Sequence, residues 1–332
     1  MKKTLLAITI PALFIANSVS ATELYSDEVN TFSVGGHISA GLTGSDEGDT
    51  GVNSVAPRIN FGATRDLGNG FTADALVEWS INMEGGEQAL STRLGYLGLA
   101  HDVYGRAAIG TQWAPTFDVT GVADMPIAFA NDFLYSSDMG SAGTARADDM
   151  VSYRNSFDFS DNMSLNLGLG WQGVQEDYDA RYQVALSFDF AKFSVGVAYN
   201  TGDVEYTTNT ETATMANVSA KYGSYGQGLY VAAVYGQNDW VYRSGSENAY
   251  EETTDAEFIV AYAFANSINV SLNYESSTDE KKSETLYSQS ALQVEYNFLP
   301  NVVGYVGYQV DLGNDINVAE DNIWMIGGRI YL

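Results

Sequence analysis

The sequence contains no cysteine, two histidines and only five prolines in 332 residues. Without cysteine there is no disulfide framework, no iron–sulfur ligand and no thiol nucleophile. The two histidines, His37 and His101, leave little from which to build a zinc site. Basic residues are scarce as well: 15 Lys and Arg stand against 42 Asp and Glu, a formal charge of −27 that argues against nucleic acid as a partner. Beyond the first 21 residues no stretch approaches 18 consecutive apolar residues, so no helix of the mature chain spans a membrane. What is abundant is glycine (33) and aromatic side chain, with 22 Tyr, 15 Phe and 5 Trp. Aromatics at 13% do not fit a chain that fails to bury surface, and disorder is excluded.

Residues 1–21 read as a signal peptide. Lys2 and Lys3 form the positive n-region, Leu5 to Ala16 the apolar h-region, and Val19-Ser20-Ala21 supplies the small residues that signal peptidase needs. The run is too short for a membrane anchor and no stop-transfer pattern follows. The mature chain then covers 22–332, and losing Lys2 and Lys3 takes its formal charge from −27 to −29. No cofactor is implied.

The mature sequence alternates with period two almost throughout, which is a strand signal. In 193–200, Phe193, Val195, Val197 and Tyr199 share one face; in 268–275, Ile268, Val270, Leu272 and Tyr274 do so; in 292–298, Leu292, Val294, Tyr296 and Phe298. The opposite faces are small or polar. Short turns such as 66–70, 160–162 and 299–301 alternate with long acidic connections such as 44–53, 173–180, 238–254 and 312–320. This pattern predicts sixteen strands, near 31–43, 54–66, 71–83, 91–101, 104–112, 148–158, 163–172, 181–190, 193–200, 213–222, 228–237, 255–264, 268–275, 286–298, 302–311 and 322–332.

A soluble sandwich or propeller would hide the apolar face in a core, yet here the other face is too polar for a packed interior. A transmembrane barrel accounts for both faces: apolar toward lipid, polar toward a water-filled lumen, aromatics at the interfaces. Closure satisfies every backbone group within the bilayer. The fold expected is all-β, a 16-stranded antiparallel transmembrane β-barrel. Trp324, Ile326, Ile330 and Leu332 share a parity on the last strand, which must pair with the first to remove the edge.

One connection breaks the rhythm. Residues 113–147 mix Pro115, Asp118, Asp124, Pro126, Asp132 and Asp138 with Phe117, Ile127, Phe129, Phe133 and Tyr135. A loop of this length in a regular barrel is functional by default, and its apolar content suggests packing against protein. Folding inward is favoured over an external cap because a wide barrel has a lumen to fill.

The chain resembles the general diffusion porins of Gram-negative outer membranes, those of gammaproteobacteria in particular. The resemblance rests on Ala56-Pro57-Arg58-Ile59-Asn60-Phe61-Gly62, Thr92-Arg93-Leu94-Gly95-Tyr96-Leu97-Gly98-Leu99, Gly105-Arg106, Gly110-Thr111-Gln112, Gly121-Val122-Ala123-Asp124-Met125-Pro126 and Tyr153-Arg154-Asn155-Ser156. It implies an outer-membrane homotrimer whose long third loop, 113–147, folds into the lumen as a constriction. It also implies periplasmic chaperones and the barrel assembly machinery as partners, with the terminal strand bearing Trp324, Ile326, Ile330 and Leu332 as the assembly signal, ending in leucine where the family usually has phenylalanine. By motif, Arg58, Arg93 and Arg154 match the basic wall of that constriction, and Asp124 and Asp132 its acidic loop. Where the family often carries Pro-Glu-Phe-Gly-Gly, this sequence has Ile127-Ala128-Phe129-Ala130-Asn131, so Ala128 stands in place of one acid. His37 falls where a fixed positive charge is common. Asp74, Glu78, Glu257 and Glu295 share the lumen-facing parity of their strands with it.

An enzyme would need a histidine beside a nucleophile or acid, and neither histidine has such a companion in sequence. The expected function is passive diffusion of ions and small hydrophilic solutes, with moderate cation preference because acids outnumber bases. Two alternatives stay open. One is a sugar-selective porin using Phe117, Phe129, Phe133 and Tyr135 as a stacking track, and the other a surface adhesin or phage receptor. Acids studding the long loops, among them Asp203, Glu205, Glu247, Glu251 and Asp279, suggest divalent cations bridging to lipopolysaccharide.

Overall fold

The computed structural model describes residues 21–86, 88–135, 139–207, 209–244 and 248–332. Nearly all of the leader (1–20), Asp138, Glu247 and the Tyr135 side chain lie outside the described residues.

Sixteen antiparallel strands form one closed wall: β1 Asn30–Ser45, β2 Arg58–Gly68, β3 Phe71–Ile81, β4 Leu90–His101, β5 Gly105–Trp113, β6 Arg146–Ser160, β7 Met163–Gln172 and β8 Arg181–Phe190. They continue with β9 Phe193–Glu205, β10 Thr210–Ser224, β11 Gln227–Asp239, β12 Glu252–Ala263, β13 Ile268–Asp279, β14 Glu284–Leu299, β15 Val302–Asp311 and β16 Ile323–Tyr331. Each strand pairs with its neighbours in sequence, and β16 returns to β1 with Ile38 opposite Ile330 and Leu42 opposite Ile326. Closure leaves no edge. Among the described residues no helix is long and apolar enough to cross a membrane.

The strands carry an inverted polarity that explains why this sequence folds as it does. Outward residues are large and apolar yet exposed, for example Phe193 at 58% and Leu292 at 52%. Inward residues are polar yet buried, including Gln183, Asn200, Asn217, Ser271 and Gln293. A soluble protein arranges these the other way round. At the short-turn end the outward belt is Phe159, Phe190, Phe193, Phe264 and Phe298; toward the long loops it is Trp171, Tyr182, Tyr199, Tyr235 and Tyr308. Aromatic rings at two levels, phenylalanine at one and amphipathic tyrosine and tryptophan at the other, suit two membrane–water interfaces.

The strands run further toward the long loops than the apolar alternation predicts, β9 to Glu205 and β13 to Asp279. Backbone pairing continues there because the ladder needs only N–H and C=O groups, not an apolar face.

Three short pairings escaped the sequence pattern. Residues Thr22–Ser26 pair with the lower half of β1, taking over where β16 ends; Leu332 donates its N–H to Gly36 O at 3.1 Å. Gly51–Asn53 pairs with the upper half of β1, and Arg243–Ser244 with Asn248–Ala249. β1 is therefore flanked by two partners on each edge. Gly36 at the changeover has φ +115°, and a Cβ there would run into the Arg58 carbonyl.

Candidate functional site

The connection between β5 and β6 lies against the inner face. Ala114 N–H closes its base on Ala145 O at 2.6 Å. Its first turn, Phe117–Thr120, is fixed by Thr116, whose N–H and Oγ1 both donate to Gln183 Oε1 (3.2 and 2.9 Å), and by Val119 packed on Ala185 and Ala198. Its last turn, Met139–Gly143, offers carbonyls to inward amides: Gln172 to Gly140 (2.5 Å), Gln183 to Gly143 (2.7 Å) and Asn200 to Ala142 (3.0 Å).

The middle of the connection is latched to the far side by acceptors on β12–β14. Ile127 N–H donates to Glu295 Oε1 at 3.2 Å and Ala128 N–H to Gln293 Oε1 at 2.8 Å. Asp132 and Phe133 N–H groups both donate to Glu275 Oε2 (2.9 and 3.2 Å), and Leu134 N–H donates to Glu257 Oε1 (3.2 Å). Asn273 Nδ2 donates to Phe129 O. The apolar residues of the segment are spent on anchoring. Phe129 is buried with Ala291, Tyr305 and Met325, Phe117 stacks on Trp113 at 4.3 Å, and Phe133 on Tyr287 at 5.0 Å. Glu257 and Glu295 face inward as their parity predicts, but their carboxylates hold backbone rather than standing free in water. Glu275 and Asp255, also buried there, were not singled out in the sequence.

Asp132 keeps part of its surface in contact with water, and partial desolvation by the neighbouring wall lifts its carboxyl above the ordinary carboxylate range. Asp124 neighbours Glu257 and donates its N–H to Gly121 O at 3.3 Å.

The arginines gather on the remaining strands. In register order Arg329 (β16) lies opposite Ser39 and His37 opposite Arg58 across β1. Arg58 (β2) then faces Ser80 of β3, Arg93 (β4) follows beside Glu78, and Arg146 (β6) pairs with Trp113 of β5. Arg58 has Arg93, Arg329 and Arg146 as charged neighbours. Glu78 serves two of them: Arg93 Nε donates to Oε1 at 2.8 Å, and Arg58 Nη1 lies 4.0 Å from the same oxygen. His37 is buried in this group with its ring edge-on to Tyr331 at 5.7 Å. Asp74 is engaged elsewhere, in a two-point pair with Arg106 (3.0 and 2.5 Å).

Arg154 departs from the expected row. Its Nε donates to Asp118 Oδ2 at 2.8 Å, Nη2 to Trp113 O at 2.7 Å, and Nη1 to Ser152 Oγ at 3.0 Å. It clamps the root of the connection, eight residues along β6 from Arg146, which takes the position in the row. The sequence pattern starts this strand at 148 and leaves Arg146 in the connection 113–147, and a bulge before Met150 breaks the alternation between Arg146 and Arg154. Asp118, buried beside Arg154, has its carboxyl raised to about 6 by burial, with the guanidinium opposing the rise. Arg329 was overlooked because the terminal strand was read for its lipid-facing parity.

The terminal-strand residues behave as their parity requires: Ile326 and Ile330 are exposed outward, with Trp324 and Leu332 on the same side. Among the described residues no group of three His, Asp or Glu is arranged to hold a metal ion. Asp279 is not a loop acid free for cations; it is buried and accepts the N–H groups of Lys281 and Lys282 (2.9 and 3.3 Å).

Comparison with known proteins gives a consistent result. Residues 4–325 match the family model described as Gram-negative porin. The "Outer membrane porin F" of Escherichia coli (strain K12) is 25% identical over 371 residues, covering 98% of each chain. The solved Salmonella typhi OmpF, in complex with daunomycin, superposes with a TM-score of 0.79 at 20% identity, covering 94% of this chain and all of that one. The in-vitro folded OmpT of Vibrio cholerae, titled a trimer form, gives 0.67 at 17% identity over 92% of this chain and 100% of its own.

Proposed function

The chain belongs to the Gram-negative porin family of outer-membrane channels, and from that premise we propose a passive, water-filled pore for ions and small hydrophilic solutes with moderate cation preference. The observation that carries this reading is the opposition of charge inside the barrel. Arg58, Arg93, Arg146 and Arg329 line the β16–β6 side, and the connection 113–147, bearing Asp124 and Asp132, is held against β7–β14. In this reading the gap between them is the constriction.

Two fields compete within it. The arginine row attracts anions, and charge in a confined, low-dielectric site is poorly screened. The acidic mouth, from a mature chain near −29, attracts cations over a reach of about 8 Å at physiological salt. Cation preference is therefore strongest at low salt and weakens as salt rises. The anchoring roles of Phe117, Phe129 and Phe133 leave little for a sugar track.

Assembly follows the same premise. The outward faces of β2–β5 expose Val77, Leu97, Leu99 and Ile109 beside the small residues Ala63, Ala73, Ala75 and Ala107. Such an apolar patch suits contact between neighbouring copies in a homotrimer. The segment 1–21 serves export, and the acidic loops meet lipopolysaccharide through divalent cations. Planar-bilayer reconstitution of the purified chain tests the channel: stepwise ohmic conductance is expected, and none would refute it.

A further inference from the structure

We infer that Arg329, on the closing strand, is a specificity-determining residue of the pore, an uncompensated guanidinium that carries the arginine row across the barrel seam. The inference rests on the channel reading above. Arg329 is 9% exposed and faces inward, opposite Ser39 on one side and Val303 on the other. One Nη2–H goes to Val55 O at 3.2 Å, the guanidinium lies 5.9 Å from the centre of the Tyr331 ring, and Nε–H has no partner among the described residues. No carboxylate among the described residues comes within ion-pair distance of it. Its charged neighbours are like-charged Arg58 and titratable His37.

An enclosed cation without a counter-ion, set beside other cations, costs folding free energy. Stability alone would select a neutral side chain here. What the charge supplies is a fixed positive potential on the lumen: among the described residues Glu78 pairs with Arg58 and Arg93, Arg146 has Glu78 and Asp148 as acidic neighbours, and Arg329 has no carboxylate within ion-pair distance.

The same side chain shapes the wall beside it. Val55 O accepts from Arg329 and from Ser39 Oγ (2.6 Å), pinning the return of the first long loop. The next residue, Ala56, is left-handed (φ 44°), and its carbonyl accepts Arg58 Nε–H at 3.1 Å. Arg329 thus acts by charge and, through Val55, helps aim Arg58. Ser39 shares only the second role.

The full mature chain, reconstituted in planar bilayers, separates the roles. The K⁺/Cl⁻ permeability ratio is measured at low salt for wild type, Arg329→Gln, Arg329→Lys and Ser39→Ala. Removing one confined charge should raise the ratio about twofold to threefold in Arg329→Gln. Arg329→Lys and Ser39→Ala should keep the wild-type ratio. Should Arg329→Gln fail to assemble, Val303→Asp places a carboxylate opposite the intact arginine, and the same rise is expected. An unchanged ratio in the assembled neutral variant, or an equal rise in Arg329→Lys or Ser39→Ala, would overturn the inference while leaving the channel intact. A wild-type protein that does not conduct would instead defeat the channel reading itself.

Discussion

Arg154 donates from Nε to Oδ2 of Asp118 at 2.8 Å, tying the first turn of the connection 113–147 to the strand that follows it. The pair is mostly enclosed, with side-chain exposures of 9% and 16%. Removing one partner of such a pair leaves the other charge uncompensated, at a cost of about 3 kcal/mol. Arg154→Ala should therefore lower the temperature at which the folded form disappears on a heat-modifiability gel. Arg154→Lys should recover only part of the loss, because one ammonium cannot reach Asp118, Trp113 O and Ser152 together. Full stability in both variants would deny the clamp.

Acid should move selectivity toward anions before ordinary carboxylates titrate. Asp118 is raised to about 6, so lowering pH from 7 to 5 largely neutralises it while the arginines stay charged, and Asp132, also raised, takes up its proton before an ordinary carboxylate would. Protonated Asp118 also leaves Arg154 uncompensated. Reversal potentials taken every half unit of pH check this; in Asp118→Asn the part of the change centred near 6 should vanish.

The latch on Glu275 predicts a change in conductance. Its Oε2 accepts the N–H groups of Asp132 and Phe133, and Glu275→Ala strands both donors at a cost of about 2 kcal/mol. Single-channel traces should show higher mean conductance and more flicker. Glu275→Gln, which retains a carbonyl acceptor, should sit between the two.

At the chain's end, Leu332 replaces the ring usual at this position in the family but keeps outward parity, and its N–H bonds Gly36 O. Leu332→Phe should reach the outer membrane at least as well as wild type, and Leu332→Asp should accumulate unfolded in the periplasm. Equal surface levels for the charged variant would show that this strand end does not face lipid.

The wall was legible because a barrel repeats one rule in every strand: Phe193, Leu292 and Ile330 point out for the same reason, and one inversion of polarity fixes all registers. The site was legible only in part, because its geometry depends on height along strands of equal parity. Arg146 lies across a bulge from Arg154 and before the strand the alternation predicts, and only the fold reveals that the first joins the row and the second meets Asp118. Glu257 and Glu295 were correctly faced, yet their engagement by Leu134 and Ile127 required the path of a loop without periodicity. The pairing of Thr22–Ser26 was likewise invisible, since five exposed residues carry no burial pattern.

The most direct measurement is the reversal potential of the wild-type channel across a tenfold KCl gradient, at low and high salt, beside the combined Asp124→Asn and Asp132→Asn variant. With acids of the connection facing the arginine row, the wild type should prefer K⁺, more so at low salt, and the double variant should shift clearly toward Cl⁻ at both. Anion preference in the wild type, or a double variant indistinguishable from it, would show that the constriction is not formed between Asp124, Asp132 and the arginines.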